Sequence, residues 1–240
     1  MIAVNQKGIV VTQIERGDSA LIAQFARAGV ATVHEAQQRQ GLLDVRIRPI
    51  QQGSSIAGSA VTVLVSPGDN WMFHVAVEQC QPGDVLLVAP TSDCHDGFFG
   101  DLLATSLKAR GVVALVGDIG IRDSQTLREM GFPVWSRAVF AQGTVKATLG
   151  SVNVPILCAG QLVYPGDIVI ADDDGVVIVP RADASTVAKA TQQRVTNEES
   201  KRVRLAAGEL GLDIYQMRGT LAEKGLRYVD TLDALQKSSL

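Results

Sequence analysis

The stretch Val112-Val113-Ala114-Leu115-Val116 decides the fold class, because it is apolar at every position. A strand with one face in solvent alternates apolar and polar residues, whereas a parallel strand covered on both faces does not. The run therefore predicts a central strand of an α/β sheet. The next residues, Gly117-Asp118-Ile119-Gly120-Ile121-Arg122-Asp123, are predicted to form a turn. Arg122 and Asp123 then lie just past the carboxyl end of the strand, where ligands of open α/β sheets bind.

A second polar turn, Gly100-Asp101-Leu102-Leu103, lies upstream of this strand. It is predicted to begin a helix that runs from Leu102 to about Arg110, with Asp101 as the N-cap residue. A helix start carries unpaired N–H groups and the positive end of the helix dipole. The amides near Leu102 and Leu103 are therefore predicted to hold a small carboxylate.

Composition and charge limit the classes of protein to which the chain can belong. With 240 residues, of which 46% are hydrophobic and 20% charged, the chain is long enough to bury a large core. The formal net charge of −3 gives no basic surface for nucleic acid, so we expect no nucleic-acid partner. No apolar run approaches the ~20 residues of a membrane span, and the first residues lack the order of a signal peptide. We expect no membrane association and a cytoplasmic location.

The three cysteines, Cys80, Cys94 and Cys158, are far apart in the sequence. An odd number of scattered cysteines argues against a disulfide framework and fits a reducing compartment. The chain has neither a C-x-x-C nor an H-x-x-x-H motif, so no zinc-type site is predicted.

Helices and strands are predicted to alternate as far as Met130, and short strands and a long polar helix follow. Helices are predicted at residues 19–29, 34–40, 72–79, 102–110, 124–130 and 183–210. Strands are predicted at residues 56–65, 85–88, 112–116, 133–139, 143–147, 154–156, 168–171 and 176–179. Pro-Gly-Asp recurs at 67–69, 82–84 and 165–167, where Pro followed by Gly favours a type II turn. We predict an α/β core domain, residues 1–182, and a C-terminal helical extension, residues 183–240.

The sequence Asp172-Asp173-Asp174-Gly175 joins the last two predicted strands. Three adjacent aspartates suggest a metal site, but Asp and Gly are also the residues that tight turns select. We interpret this segment as a hairpin loop.

Asp123 and Arg122 are the candidates with the clearest chemistry. A hard cation such as Mg²⁺ or Mn²⁺ keeps several waters and takes one or two protein carboxylates, so Asp123 alone is an acceptable protein ligand. Arg122 could hold an oxygen that becomes negative during a reaction. Alternatively, Asp123 caps a helix at residues 124–130 and Arg122 pairs with a surface carboxylate. The pattern leaves both interpretations open, and it leaves Asp101 open between helix cap and base.

Other titratable residues are weaker candidates. His74 and His95 fit structural roles as well as acid–base roles, and we interpret His34 as structural. Lys108 and Lys146 are Schiff-base candidates only in principle, because nothing in their neighbourhoods singles them out.

Several motifs carry a resemblance to a known superfamily. The order Gly100-Asp101-Leu102-Leu103, Gly-x-x-x-Arg122-Asp123 and Gly-x-Pro133-Val134 resembles the superfamily of the class II 4-hydroxy-4-methyl-2-oxoglutarate / 4-carboxy-4-hydroxy-2-oxoadipate aldolases and the regulator of ribonuclease E activity. The tail, Asn197-Glu198-Glu199-Ser200-Lys201-Arg202 and residues 205–213, is similar to the aldolase branch. The ribonuclease regulators generally stop before such an extension. The likeness covers most of the chain.

The resemblance implies a compact layered α/β sandwich of the swivelling-domain type with a C-terminal helical extension. It implies a divalent-metal-dependent aldolase of aromatic acid degradation, whose substrates are small 4-hydroxy-2-keto diacids. This class cleaves 4-carboxy-4-hydroxy-2-oxoadipate to pyruvate and oxaloacetate, and 4-hydroxy-4-methyl-2-oxoglutarate to two pyruvates. Decarboxylation of oxaloacetate is expected as a side activity, because it generates the same enolate. The alternatives are a non-catalytic regulatory protein like the ribonuclease regulator and a Schiff-base lyase.

The resemblance also implies roles for individual residues near the strand end. Asp123 matches the carboxylate that binds the metal, with Mg²⁺ or Mn²⁺ as the expected ion. Arg122 matches the residue that contacts the keto oxygen and stabilises the pyruvate enolate. Asp101 matches the residue that orients a water for proton transfer.

Two further groups are implied by the same resemblance. Gly100 and the amides of Leu102 and Leu103 match the cradle for the pyruvyl carboxylate. Glu198 matches a metal-site carboxylate that acts through water and comes from the adjacent subunit, although the neighbouring Glu199 leaves that register open by one residue. A homo-oligomer is therefore expected, and the family implies a trimer or hexamer.

Overall fold

The computed structural model describes residues 7–231. The chain forms two compact units, which divide between Arg194 and Val195. All the strands within the described residues belong to the first unit. The division into residues 1–182 and 183–240 stays a prediction.

A mixed sheet of nine strands organises the first unit. The strands of the first unit are β1 (Arg48–Pro49), β2 (Ile56–Val65), β3 (Asp84–Pro90), β4 (Gly97–Phe99), β5 (Ala114–Ile121), β6 (Val134–Val139), β7 (Ser151–Val152), β8 (Ile156–Cys158), β9 (Gln161–Val163), β10 (Ile168–Asp172) and β11 (Gly175–Val179). The sheet follows the order β1-β6-β5-β3-β2-β10-β11, with β4 beside β5 and β7 beside β2. The remaining strands, β8 and β9, form a separate hairpin.

Strands β2, β3, β5 and β6 pair in parallel. The helices of the first unit are α1 (Ser19–Ala28), α2 (Val30–Ala36), α3 (Trp71–Gln79), α4 (Asp101–Ala109), α5 (Ser124–Glu129) and the beginning of α6 (Ala184–Ala206). Parallel strands need crossover connections, and α3, α4 and α5 supply them. All eight residues of β5 are buried, so the apolar run at 112–116 was correctly interpreted as a strand covered on both faces.

Three clusters of buried apolar side chains pack the layers of the first unit together. The first contains Phe73, Leu103 and Leu127 of α3–α5 and lies on one face of β2, β3 and β5. The second lies between the other face of these strands and the hairpin β10–β11, with β8 and β9 packed at its side. The third lies between β10–β11 and the helices α1, α2 and α6. The α/β class and the layered arrangement are therefore confirmed.

The recurring Pro-Gly-Asp turns are confirmed, and each aspartate is buried. Gly68, Gly83 and Gly166 have positive φ angles of 69°, 88° and 86°, as position i+2 of a type II turn requires. The carboxylates that follow accept backbone hydrogen bonds: Asp84 from Gln81 N at 2.7 Å and Asp167 from Tyr164 N at 2.9 Å. Each of these turns thus ends in a buried aspartate, and the carboxylates of Asp84 and Asp167 hold the backbone of the turn in place.

The predicted turn at residues 117–123 is wrong, because β5 continues to Ile121. The pairing of β5 with β6 is irregular between Gly117 and Gly120, which reflects the two glycines within the strand. Arg122 and Asp123 still lie directly after the strand, as predicted.

Two other local predictions are also wrong. Residues 143–147 do not form a strand, and Val145 makes only an isolated bridge with Asp69. Residues 97–99, which are not among the predicted strands, form β4 beside β5. In both places the pairing partner is remote in the sequence, so the local pattern carries little information about it.

The hairpin loop at the three aspartates is confirmed. Asp172 and Gly175 pair at the end of β10 and β11. The Asp172 carboxylate accepts hydrogen bonds from Val30 N and Asp174 N, at 2.8 and 2.9 Å, and Asp173 accepts from Gly53 N. Asp172 and Asp173 therefore anchor backbone groups at the end of the hairpin.

The second unit contains the rest of α6 and two short helices, α7 (Gly211–Ile214) and α8 (Arg218–Glu223). Its polar side chains pair locally. Arg204 contacts Glu209 at 2.6 Å, and Arg218 contacts Asp213 at 2.6 Å. Lys201 Nζ lies 4.6 Å from the centre of the Tyr215 ring. The predicted C-terminal helix is present.

Cys80, Cys94 and Cys158 are free thiols, and burial raises the pKa of both Cys80 and Cys158 to about 12. Within residues 7–231, no helix has the length and apolar character that crossing a membrane requires.

Asp118 is a buried carboxylate on β5 that holds two arginines. It accepts hydrogen bonds from Arg46 Nε and Nη2, at 3.0 and 2.8 Å, and lies 3.5 Å from Arg137 Nη1. The side chains of Asp118 and Arg137 are only 10% and 9% exposed. The polar position inside an apolar strand is therefore tolerated because its charge is paired.

Replacing Asp118 by Ala is expected to lower the free energy of unfolding by about 3 kcal/mol, because it leaves the buried Arg137 without its buried partner. Urea unfolding followed by circular dichroism measures the change. The matched control is Asp93→Ala, which removes the exposed partner of Arg137 and should change stability little. Equal losses in the two variants would contradict this account of Asp118.

Candidate active site

One cavity of about 100 Å³ gathers the polar residues that follow β5 and begin α4. Its lining residues are Asn70, His74, Phe98, Gly100, Asp101, Leu102, Leu103, Arg122, Asp123 and Lys146. All six residues predicted for the core part of the site are among them. Two larger cavities, of about 470 and 560 Å³, lie elsewhere in the first unit. We take the smaller cavity as the candidate site because it combines the first turn of α4 with the adjacent side chains of Arg122 and Asp123.

Asp123 has an unusual backbone conformation at the carboxyl end of β5. Its φ and ψ angles are 54° and 33°, in the left-handed region, which costs a non-glycine residue of order 1 kcal/mol or more. Asp123 occupies the N-cap position of α5, but its side chain makes no capping hydrogen bond. Asp123 therefore occupies the cap position of the alternative interpretation, but its carboxylate does not cap α5. The carboxylate lies at the start of α4 instead.

The Asp123 carboxylate lies directly against Gly100. Its Oδ2 accepts a hydrogen bond of 3.3 Å from Asp101 N. A Cβ built on Gly100 would lie 2.1 Å from the same oxygen, so no larger residue fits unless the carboxylate moves. Gly100 has a φ of −156°, which any residue can adopt. Glycine is needed here for space and not for backbone conformation.

Helix α4 begins one residue earlier than predicted. Gly100 is its N-cap residue and Asp101 its first residue, so the interpretation of Asp101 as the N-cap is wrong. The Asp101 Oδ1 accepts a hydrogen bond of 2.8 Å from Leu102 N. Leu102 and Leu103 belong to the first turn, whose N–H groups lack intrahelical acceptors. A ligand carboxylate at Leu102 N would have to replace the carboxylate of Asp101.

Arg122 lies beside Asp123 with half of its side chain exposed. The distance from its Nε to Asp123 Oδ2 is 3.8 Å. A Cβ on Gly143 would lie 3.1 Å from Arg122 Nη1, so this glycine leaves room for the guanidinium group. The backbone of Arg122 is fixed by a hydrogen bond of 2.9 Å from its N–H to Phe99 O. The guanidinium group is thus available to a ligand in the cavity.

Four lining residues were not assigned to the site by the sequence: Asn70, His74, Phe98 and Lys146. Asn70 Nδ2 donates to Phe98 O at 2.9 Å, and its buried Oδ1 has no partner among the described residues. The pKa of His74 is lowered by burial and, to a lesser extent, by the nearby charge of Lys146. No local pattern identifies these residues, because the sheet brings them together from separate parts of the chain.

The donor set suits a hard cation with a largely aqueous shell. No group of three or more His, Cys, Asp or Glu side chains that could hold a metal exists within residues 7–231. The cavity offers the fixed carboxylate of Asp123, the second carboxylate of Asp101 and the unpartnered oxygen of Asn70. Mg²⁺ and Mn²⁺ favour oxygen ligands, and Mg²⁺ keeps several waters, so these residues fit such an ion.

The remaining candidates lie outside this cavity. Lys108 donates from Nζ to Met130 O at 2.6 Å, and His95 does not line the cavity. Glu198 and Glu199 lie on α6 in the second unit, where Glu199 pairs with Arg202. The role of Glu198 at a neighbouring subunit stays a prediction.

Comparison with known proteins gives consistent matches. The family model described as RraA-like (Aldolase/RraA) matches residues 30–178, which include the whole cavity. A protein of Halalkalibacterium halodurans named "Putative 4-hydroxy-4-methyl-2-oxoglutarate aldolase" is 27% identical over 81% of this chain and 92% of its own length. A protein of the same name from Burkholderia multivorans is 30% identical over 64% of this chain and 95% of its own length.

Solved structures lead to the same family. The crystal structure of Streptomyces coelicolor RraAS2, described as an unusual member of the RNase ES inhibitor RraA protein family, superposes with a TM-score of 0.70 at 31% identity. The match covers 79% of this chain and 100% of the RraAS2 chain. Relatives carrying the aldolase name support an aldolase activity within the family. The chain belongs to the RraA-like family, which comprises aldolases and RraA proteins.

Proposed function

We propose that this protein is a divalent-metal-dependent pyruvate aldolase that cleaves 4-hydroxy-2-keto diacids. The observation that carries the proposal is the juxtaposition of the Asp123 carboxylate, the Arg122 guanidinium and the first turn of α4 in one cavity. Family relatives with the aldolase name support the reaction class.

Asp123 is the residue that would hold the ion, Mg²⁺ or Mn²⁺. Its carboxylate accepts a hydrogen bond from the Asp101 amide and occupies the space that a side chain at position 100 would fill. The bound ion would act as a Lewis acid that lowers the energy of the pyruvate enolate. The side chain of Arg122 adds positive charge next to the keto oxygen, where negative charge develops when the C3–C4 bond breaks.

The start of α4 would bind the substrate carboxylate and thereby release the Asp101 carboxylate from the Leu102 amide. The amides of Leu102 and Leu103 would donate hydrogen bonds to the C1 carboxylate at the positive end of the helix. Because this carboxylate takes over the Leu102 N–H, the Asp101 carboxylate becomes free to orient a water. That water accepts the C4 hydroxyl proton as C4 becomes a carbonyl, and it returns a proton to the enolate carbon.

The proposed substrates are 4-carboxy-4-hydroxy-2-oxoadipate and 4-hydroxy-4-methyl-2-oxoglutarate from aromatic acid degradation. The first would yield pyruvate and oxaloacetate, and the second two molecules of pyruvate. Oxaloacetate would lose CO₂ in the same site, because its C3–C4 cleavage leaves the same enolate. All three compounds share the C1 carboxylate and the C2 keto group, so they can bind in the same cavity in the same way.

Metal removal tests the reaction class. Treatment with a chelator is expected to abolish pyruvate release from both substrates, and Mg²⁺ or Mn²⁺ is expected to restore it, in an assay coupled to lactate dehydrogenase. Borohydride added with substrate should leave the activity unchanged, because no lysine forms a Schiff base. Activity that survives metal removal, or a metal-replete protein that cleaves neither substrate, would contradict the proposal.

The likeness to RraAS2 supports a second candidate function, that of a non-catalytic regulator like the RraA proteins. The coupled assay separates the two functions. A regulator would release no pyruvate under any metal condition, and it would bind a ribonuclease instead.

We further propose a homotrimer or hexamer in which Glu198 reaches the neighbouring site through water. The predicted tail and the exposed position of the cavity residue Leu102, which is 80% exposed, support a shared site. Light scattering measures the assembly. A monomer with full activity would contradict an active site that is shared between subunits.

A further inference from the structure

A buried aspartate ties the segment that carries Lys146 to the turn before α3. Asp69 is 2% exposed and accepts three backbone hydrogen bonds. Its Oδ2 accepts from Ala147 N at 2.6 Å and from Thr148 N at 2.7 Å, and its Oδ1 accepts from Trp71 N at 2.8 Å. Burial opposes the charge of Asp69, but these hydrogen bonds outweigh burial and lower its pKa. Asp69 is therefore an ionised anchor for residues 147 and 148.

Backbone hydrogen bonds fix the other side of Lys146. Val145 N donates to Gly68 O at 2.9 Å, and Asn70 N donates to Val145 O at 3.1 Å. Lys146 thus lies between two residues whose backbones are held on the same turn. This clamp explains why a segment without regular secondary structure has a defined position in the cavity wall.

The Lys146 side chain makes no direct polar contact in the described fold, although its charge helps to lower the pKa of Asp69. Within residues 7–231 its ammonium group makes no ion pair and no hydrogen bond, although it lines the cavity beside Arg122 and Asp101. His74, on the same side, has a lowered pKa and is neutral near pH 7. The positive charge at this wall of the cavity therefore comes from Lys146.

Besides the C1 carboxylate, both proposed substrates carry a carboxylate attached to C4, and the other residues leave this group unpaired. The amides of α4 take the C1 carboxylate, and Arg122 takes the keto oxygen. A diacid carries a further carboxylate attached to C4, and burying it near Asp101 without a cation would be unfavourable. A lysine at a fixed place in the wall supplies that cation.

We propose that Lys146 binds the carboxylate attached to C4 and thereby selects diacids over monoacids, and that Asp69 is the positioning residue that holds Lys146 in place. This inference rests on the proposed aldolase function. The C4 carboxylate keeps its charge while the C3–C4 bond breaks, so the contact is equally strong in substrate and transition state. Its loss should raise KM and leave kcat unchanged.

Two matched substrates isolate this contact. 4-Hydroxy-2-oxoglutarate and 4-hydroxy-2-oxopentanoate differ in that a carboxylate replaces a methyl group on C4, and both release pyruvate on cleavage. In Lys146→Met, KM for the diacid should rise about tenfold, the lower range for a hydrogen bond to a charged group, because Lys146 is partly solvated. Both constants for the monoacid should stay within about twofold. Lys146→Arg should retain most of the selectivity.

The control for charge removal is Lys108→Met. Lys108 lies on α4, but its Nζ donates to Met130 O and does not line the cavity. This variant should leave the diacid-to-monoacid ratio of kcat/KM unchanged. Asp69→Asn keeps the cavity side chains but cannot accept all three backbone hydrogen bonds. It should lower the same ratio by an intermediate factor and speed hydrogen exchange at Ala147 and Thr148.

A binding measurement with unreactive ligands completes the test. 2-Oxoglutarate and 2-oxopentanoate lack the C4 hydroxyl, and calorimetry with the Mg²⁺-loaded protein should show that Lys146→Met weakens only the diacid, by about tenfold. An unchanged diacid-to-monoacid ratio in Lys146→Met, or equal binding of the two ligands by wild type, would overturn the inference. If wild type binds 2-oxoglutarate selectively but cleaves neither hydroxy acid, the proposed function fails and the Lys146 contact survives.

Discussion

Replacing Arg122 by Met is expected to lower kcat for pyruvate release about 10²- to 10³-fold, the typical loss when one donor to a developing oxyanion is removed. The guanidinium group is half exposed, and its nearest charged contact is Asp123 at 3.8 Å. The loss should therefore arise in the chemical step and not from unfolding. The lactate dehydrogenase-coupled assay measures kcat, and thermal unfolding reports stability.

The matched control for this prediction is Arg128→Met. Arg128 lies on α5, and its Nη1 donates to Ile50 O outside the cavity. It should retain the activity of wild type. If Arg122→Met lost less than about tenfold in kcat, the guanidinium would not stabilise the developing charge to the extent that such donors usually do.

Replacing Gly100 by Ala is expected to weaken metal binding and activity about 10- to 100-fold, as changes in the support of a metal ligand typically do. The added methyl group would lie 2.1 Å from Asp123 Oδ2, so the carboxylate must leave its place at the start of α4. The extended φ of −156° accommodates Ala without strain, so the fold should remain intact. Mn²⁺ titration by calorimetry measures the affinity, and circular dichroism checks the fold.

Gly219→Ala is the control for the Gly100 variant. Gly219 lies on α8, and an added Cβ would have no neighbour within 4 Å. This change should leave both Mn²⁺ affinity and activity unchanged. A Gly100→Ala variant with unchanged Mn²⁺ affinity and full activity would show that the Asp123 carboxylate need not occupy the position seen here.

The Arg122→Met and Gly100→Ala variants examine different parts of the same cavity. Arg122 contributes charge beside the substrate, whereas Gly100 contributes only the space that the Asp123 carboxylate needs. Loss of metal affinity in Gly100→Ala together with normal metal affinity in Arg122→Met would separate metal placement from oxyanion stabilisation. The proposed mechanism requires both.

The sequence alone determined the α/β class, the hairpin β10–β11 and the position of Arg122 and Asp123 after β5. These features depend on local patterns: an apolar run without alternation, turn-forming Asp and Gly, and the order of strand and helix along the chain. Burial and turn geometry are recorded within a few neighbouring residues, so they can be recognised without a structure.

Only the tertiary structure decided how the cavity is completed. The pairing of β4 with β5, the contact of Asp123 with Gly100, and the clamp of Asp69 on residues 147 and 148 join parts of the chain that are remote in sequence. The left-handed conformation of Asp123 likewise has no signal in the sequence, because Asp at that position is equally typical of a helix cap. Side chains such as Asn70 and Lys146 acquire a role from the register of the sheet and the packing of its loops, and no periodicity in the chain specifies those long-range contacts.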